Sequence, residues 1–143
     1  MEILPKDSLL NLSGKTAIVT GGSLGIGYGI SYRLAEAGAN VVITSRNLEE
    51  VNKAVEELKQ KGFNAAGVKT DVSIETEVKN LVAEAIKSFG SVDILINNAG
   101  VFPFAPLSQL TSELFDKVIA TNLRGVFLTT KYVSEQMIKQ GKG

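Results

Sequence analysis

Thr16-Ala17-Ile18-Val19-Thr20-Gly21-Gly22-Ser23-Leu24-Gly25-Ile26-Gly27 is the stretch whose reading decides the fold. Its opening residues, Thr16 to Thr20, form a brief apolar run, the pattern of a strand buried on both faces. Beyond the glycines, Ile26, Ile30, Leu34 and Ala37 recur at helical spacing, and Gly38 stops the run. A buried strand thus passes through a glycine-rich turn directly into a helix.

The same alternation continues outward. Val41 to Thr44 is a second β-branched run, and Asn47 is placed to cap a helix with Glu50 at its third position. Leu48, Val51, Val55 and Leu58 share one face of that helix, and Lys61-Gly62 closes it. Ala66 to Thr70 is a third strand. Ser73 is expected to cap a helix with Glu75 and Glu77 in its first turn and Ile74, Val78, Leu81, Val82, Ile86 and Phe89 as its stripe. Gly90 ends it, and Val92 to Ile96 is a fourth strand. A loop rich in Asn, Gly and Pro leads to Thr111, expected to cap one long helix with Leu114, Phe115, Val118, Ile119, Val126, Val133 and Met137 on its apolar side. Strands alternating with helices imply βαβ units, a parallel sheet and right-handed crossovers. No repeat, low-complexity tract or linker divides residues 1–143, so the chain reads as one α/β domain.

Composition narrows the chemistry. Of 143 residues 44% are hydrophobic, which excludes disorder as the default state. Fifteen basic residues balance 15 acidic ones, so no basic footprint points to nucleic acid. The chain has no cysteine and no histidine. That absence removes thiol nucleophiles, Ser-His-Asp triads and histidine bases, and no metal site is expected. Without cysteine there is no disulfide framework, and a cytoplasmic location is expected. Glu2, Pro5 and Asp7 interrupt any apolar stretch at the N-terminus, so Met1 to Lys15 does not read as a secretory signal. No later run has the length of a membrane span.

The glycine-rich turn carries the functional reading. A dinucleotide pyrophosphate needs backbone N–H groups that a Cβ would obstruct, and a helix N-terminus to attract its charge. Gly21, Ser23, Leu24, Gly25, Ile26 and Gly27 form the expected cradle. The spacing is not G-x-G-x-x-G, because Ile30 stands at the last glycine's place, and no Gly-Lys-Ser/Thr makes it a P-loop. After the fourth strand comes Asn97-Asn98-Ala99-Gly100, where small residues let a ligand lie against the chain and the amides can both donate and accept. Asn122 and Gly125 are poor choices for a helix interior, and together they predict a local distortion.

Gly21, Gly25 and Gly27 give T-G-x-x-x-G-x-G, and with Asp71-Val72, Asn97-Asn98-Ala99-Gly100 and Asn122 the chain resembles the first half of a short-chain dehydrogenase/reductase. The resemblance implies a Rossmann-type doubly wound parallel sheet with strands 1–4 in the order 3-2-1-4. It also implies NAD(P)-dependent interconversion of a secondary alcohol and a ketone, with a 3-oxoacyl, sugar or steroid compound among the candidate substrates, and a homo-oligomer for the complete protein. By the same resemblance, Asp71 and Val72 contact the adenine. Asn98, with Ala99 and Gly100, lies against the nicotinamide-side ribose, and Asn122 is the asparagine of the catalytic tetrad.

Cofactor choice is read at the end of the second strand, where an NAD-preferring domain usually carries an acid. Here it is Thr44-Ser45-Arg46-Asn47. Ser45 removes a repulsive carboxylate and Arg46 can pair with a 2′-phosphate, so NADP(H) is favoured over NAD(H). Such a contact, about 1.5–3 kcal/mol, corresponds to about a 10- to 150-fold preference. Leu24 stands where many NADP-preferring relatives place a second basic residue.

The tetrad's serine, tyrosine and lysine do not occur in the required pattern. Four residues beyond Tyr28, Tyr32 and Tyr132 lie Tyr32, Glu36 and Gln136, so there is no Tyr-x-x-x-Lys. In the resembled family these groups follow a fifth strand, which would begin past Gly143. Residues 1–143 therefore read as the cofactor half of an oxidoreductase, truncated on its C-terminal side and inactive alone. The alternative is a non-catalytic dinucleotide-binding module.

Overall fold

A computed structural model describes residues 10–143. Glu2, Pro5 and Asp7, on which the reading of the N-terminus rests, lie outside the described residues. The chain runs β1 (Thr16–Thr20), α1 (Gly25–Glu36), β2 (Asn40–Ser45), α2 (Leu48–Gln60), β3 (Ala65–Lys69), α3 (Glu75–Phe89) and β4 (Ile94–Ile96). Then follow α4 (Ser112–Ile119), a π-helical turn (Ala120–Arg124) and α5 (Gly125–Gln140). The four strands are all parallel, in the order β3-β2-β1-β4. Among the described residues, no helix is long and apolar enough to cross a membrane.

Strand alternation divides the core into two layers. Val19, Val41 and Ile43 face α1 and α2, meeting Ala35, Val51 and Leu58. Ile18 and Val42 face the other way, onto Leu81, Ala85 and Val133 of α3 and α5. Every residue of β1 is buried, as its apolar run predicts. Helices on both faces make the sheet doubly wound.

Local signals explain most boundaries. Asn47 caps α2 as expected, its side chain accepting from the Glu49 and Glu50 amides. Gly90 ends α3 in the left-handed conformation, φ 81°. β4 begins two residues later than the apolar run suggests, because the Val92 backbone bonds the side chain of Gln140 at the end of α5.

Three expectations are corrected. Ser73 does not cap α3: its hydroxyl donates to Asp71 Oδ1, and the Asp71 carbonyl receives the Ile74 amide. The side chain of Asp71 thus shapes the turn before the helix. The α1 stripe faces outward at Ile26, which is 80% exposed, while Gly27, Ser31 and Ala35 form the buried face. The helix lies too close to the turn for larger residues there. A Cβ on Gly27 would fall 2.0 Å from the Gly21 carbonyl oxygen. Finally, the helix runs unbroken from Ser112 to Gln140 through the π-helical turn, but over α4 its apolar side is not buried. Leu114 and Val118 are half-buried there, whereas Phe115 and Ile119 are exposed.

At the edge of the sheet away from the glycine turn, Asp93 is 6% exposed and fastens several segments. It accepts from the Thr16 amide at 3.0 Å and the Ser91 hydroxyl at 2.9 Å, and faces Lys142 at 3.3 Å and Lys15 at 3.8 Å. Burial alone would raise its carboxyl; the Thr16 and Ser91 hydrogen bonds and the Lys142 charge bring it below its ordinary 3.8. A carboxyl held lower in the fold than in the unfolded chain contributes stability above that ordinary value and loses it as pH falls through the folded one. The thermal midpoint is therefore expected to drop below about pH 4, and less steeply in Asp93→Asn. Melts followed by circular dichroism between pH 7 and 3 check this. Parallel curves for the two proteins would remove Asp93 as the source.

Candidate dinucleotide site

The site forms at the carboxyl ends of the strands. The chain moves outward from β1 to β3 and then returns to place β4 on the other side of β1. The loops after β1 and β4 therefore part, opening a crevice at the switch point, where open α/β sheets receive ligands. A cleft of about 140 Å³ lies there, lined by Gly21, Ser45, Arg46, Thr70, Asp71, Val72, Ala99, Gly100, Val101 and Thr121. A larger apolar groove, about 960 Å³, runs along the outer side of α1. It reaches Ile26 but none of the strand ends, so it lacks the convergent polar groups of the cleft.

Thr20 closes the crevice floor. Its hydroxyl donates to the Ile96 carbonyl and accepts from the Asn98 and Ala99 amides, each at 3.0 Å. Asn98 completes the joint, donating through Nδ2 to the carbonyls of Thr20 and Gly21, both at 3.0 Å. Both amide hydrogens of Asn98 are thereby committed to holding the glycine turn. Its neighbour Asn97 bonds the other way, to Thr129 and Thr130 on α5. Adjacent asparagines thus tie β4 to the turn and to the helix layer.

The glycines divide their duties. Gly21 has φ +63°, and a Cβ there would stand 3.0 Å from the Ala99 Cα, so the turn can pass β4 only as glycine. Gly27 lets the start of α1 close onto Gly21. Gly25 has φ +55° and nothing within 4 Å of an added Cβ, so it leaves the surface of the turn bare. Ser23 is buried, with its hydroxyl directed to Glu50, whereas Leu24 and Ile26 are exposed.

The distortion predicted around Asn122 is the π-helical turn. Gly125 permits it by admitting Val72: a Cβ at Gly125 would meet Val72 Cγ2 at 2.7 Å. Arg124 donates to the Ser73 carbonyl, fixing the turn to the β3–α3 connection. Asn122 accepts the Val101 amide and donates to the Val101 carbonyl, both at 2.9 Å. Its side chain therefore holds the loop after β4 at the rim of the cleft.

At the opposite end, the Ser45 hydroxyl donates to the Asn47 carbonyl and accepts the Asn47 amide, both at 3.2 Å. This small turn leaves Arg46 exposed, and Arg46 makes no ion pair among the described residues. Asp71 uses Oδ1 to accept from Ser73.

Sequence reasoning placed Gly21, Ser45, Arg46, Asp71, Val72, Ala99 and Gly100 in the cleft wall, and the structure brings them together there. It missed Thr20, Thr70, Val101 and Thr121. The rule that parallel strands present their carboxyl ends to ligands would have found Thr70 and Val101. Thr121 adjoins the anomalous Asn122.

The comparisons with known proteins agree with this architecture. The short chain dehydrogenase family matches residues 15–143. This chain belongs to that family. It is 40% identical over 132 residues to an uncharacterized oxidoreductase of Thermotoga maritima, covering 92% of this chain and 52% of that protein. It is likewise 40% identical over 130 residues to a 3-oxoacyl-[acyl-carrier-protein] reductase of Staphylococcus epidermidis, covering 90% and 53%. The crystal structure of a short-chain type dehydrogenase/reductase from Mycobacterium marinum superposes with a TM-score of 0.94 at 31% identity, covering 98% of this chain and 57% of that one. The chain thus spans about half the length of the curated relatives it matches. The doubly wound sheet and its strand order stand as expected.

Proposed function

We propose that the chain is the dinucleotide-binding half of an NADP(H)-preferring oxidoreductase that interconverts a secondary alcohol and a ketone. The observation that carries this reading is the bare glycine turn beside a crevice at the switch point. The residues present fit such a cofactor. Gly21, Ala99 and Gly100 form a cradle that side chains would fill, and Thr70, 2% exposed, has a hydroxyl in the cleft wall without a partner among the described residues. Gly21 to Gly27 would hold the pyrophosphate at the start of α1, Asp71 and Val72 the adenine, and Ala99 and Gly100 the nicotinamide-side ribose. A bound NADP(H) supplies hydride transfer at its nicotinamide.

The chain's own contribution is binding and orientation. Asn98 keeps the glycine turn in shape and Asn122 keeps the β4 loop at the rim. Asn122 is the tetrad member these residues provide, at the π-helical turn beside the cleft, a distortion that often marks functional sites. The partner is a small alcohol or ketone. The 3-oxoacyl reductase among the relatives makes a 3-oxoacyl compound one candidate.

Arg46 should carry the NADP preference. Arg46→Ala, in the full product of the reading frame, is expected to weaken NADPH about 10- to 150-fold and to leave NADH nearly unchanged. Fluorescence titration of both cofactors measures this. A wild-type protein that binds NADH as tightly as NADPH would reduce Arg46 to a surface charge.

A further inference from the structure

Glu50 joins the glycine turn to the connection after β2, although the sequence offers it only as a first-turn residue of α2. One carboxylate oxygen accepts from Asn47 Nδ2 at 3.0 Å. The other accepts from the Ser23 hydroxyl at 3.4 Å. Ser23 belongs to the glycine turn after β1, and Asn47 immediately follows Arg46 at the end of β2. The carboxylate therefore bridges the two segments between which the 2′ position must lie if Arg46 is to reach it. Glu50 is half-buried, and among the described residues no lysine or arginine pairs with it. Its negative charge is held by neutral donors alone, while the Arg46 guanidinium, four residues before it, is exposed and makes no ion pair among the described residues.

These contacts set two opposite charges on one short stretch. A 2′-phosphate drawn to Arg46 brings about two negative charges toward the Glu50 carboxylate. A ribose with a free 2′-hydroxyl brings none and offers a donor instead. We infer that Glu50 is a second determinant of cofactor choice, one that opposes Arg46 and favours the cofactor lacking the 2′-phosphate. This rests on the dinucleotide reading above and refines it: the preference is the difference between an attractive and a repulsive residue. The Ser23–Glu50–Asn47 contacts also tie the glycine turn to the start of α2, so the opposing charge is fixed in place.

The test is a titration of NADPH and NADH against wild type, Glu50→Gln, Glu50→Ala and Arg46→Ala, in the full product of the reading frame. Glu50→Gln keeps the shape and removes the charge. It should tighten NADPH by about 3- to 10-fold and leave NADH unchanged or weaker. The gain should shrink as salt rises from 0.05 to 0.5 M, because a charge effect is screened. Glu50→Ala should shift the ratio of the two affinities in the same direction, which covers misfolding of the first variant. Equal changes for both cofactors, or no change for NADPH, would overturn the assignment. Arg46→Ala separates the two claims. If it leaves NADPH unaffected while Glu50→Gln still tightens it, the Arg46 reading fails and Glu50 stands. If it weakens NADPH while both Glu50 variants change nothing, Arg46 stands and Glu50 fails.

Discussion

Gly25→Val is expected to abolish dinucleotide binding, by at least about 100-fold in Kd, in a protein that stays folded. An added Cβ at Gly25 meets no atom within 4 Å, so the fold itself has room for it. The cost to the fold is conformational, since φ +55° is a region valine avoids, and such strain amounts to about 1–3 kcal/mol. The cost to binding, at least about 2.7 kcal/mol, has a separate origin. A branched side chain on the bare turn keeps the pyrophosphate from the backbone N–H groups at the start of α1, where the attraction for phosphate arises. Gly27→Ala provides the contrast. Its Cβ would stand 2.0 Å from the Gly21 carbonyl oxygen and 2.5 Å from Asn98 Nδ2, so the turn must shift and the fold suffers with the site. Circular dichroism melts beside isothermal titration separate the two. A folded Gly25→Val protein with wild-type affinity would remove the turn from the binding site.

Residues 1–143 alone should give no alcohol-dependent formation of reduced nicotinamide cofactor and should self-associate. Proton transfer to or from a carbonyl oxygen needs an acid–base group, and the resembled family uses a tyrosine four residues before a lysine. No tyrosine here has that spacing. β4 pairs with β1 on one side, and among the described residues its other edge has no strand partner. An open edge of this kind invites pairing with another chain. On the segment from α4 to α5, Phe115, Leu123 and Phe127 are 53%, 64% and 61% exposed. A formal net charge of zero offers little repulsion between copies. Light scattering should report association and an absorbance assay no turnover. A monodisperse monomer would contradict the first expectation, and turnover that tracks this chain would contradict the second.

The sheet was legible because its strands are short apolar runs bounded by glycines and caps, and β1 and β2 are in fact buried on both faces. Strand order was not readable from periodicity and came through the resemblance. The α1 stripe misled at Ile26: Ile30 and Leu34 do pack against the core, but the buried face runs through Gly27, Ser31 and Ala35, where close approach outweighs hydrophobicity. Helix α4 misled for a different reason: its apolar face is covered only in part, leaving Leu114 and Val118 half-buried and Phe115 and Ile119 exposed. In the site, glycine spacing gave the turn and an asparagine–glycine pair gave the distortion. The roles of Asn98, Asn122 and Glu50 depend on partners distant in sequence, such as Gly21, Val101 and Ser23, and no local pattern encodes those contacts.

We propose that the turn from Gly21 to Gly27 and the cleft beside it bind a dinucleotide. Isothermal titration of NADPH and NADH into the folded product of the reading frame tests it most directly. Saturable binding at one site per chain is expected, with NADPH bound more tightly than NADH. A folded protein that takes up neither cofactor would contradict it.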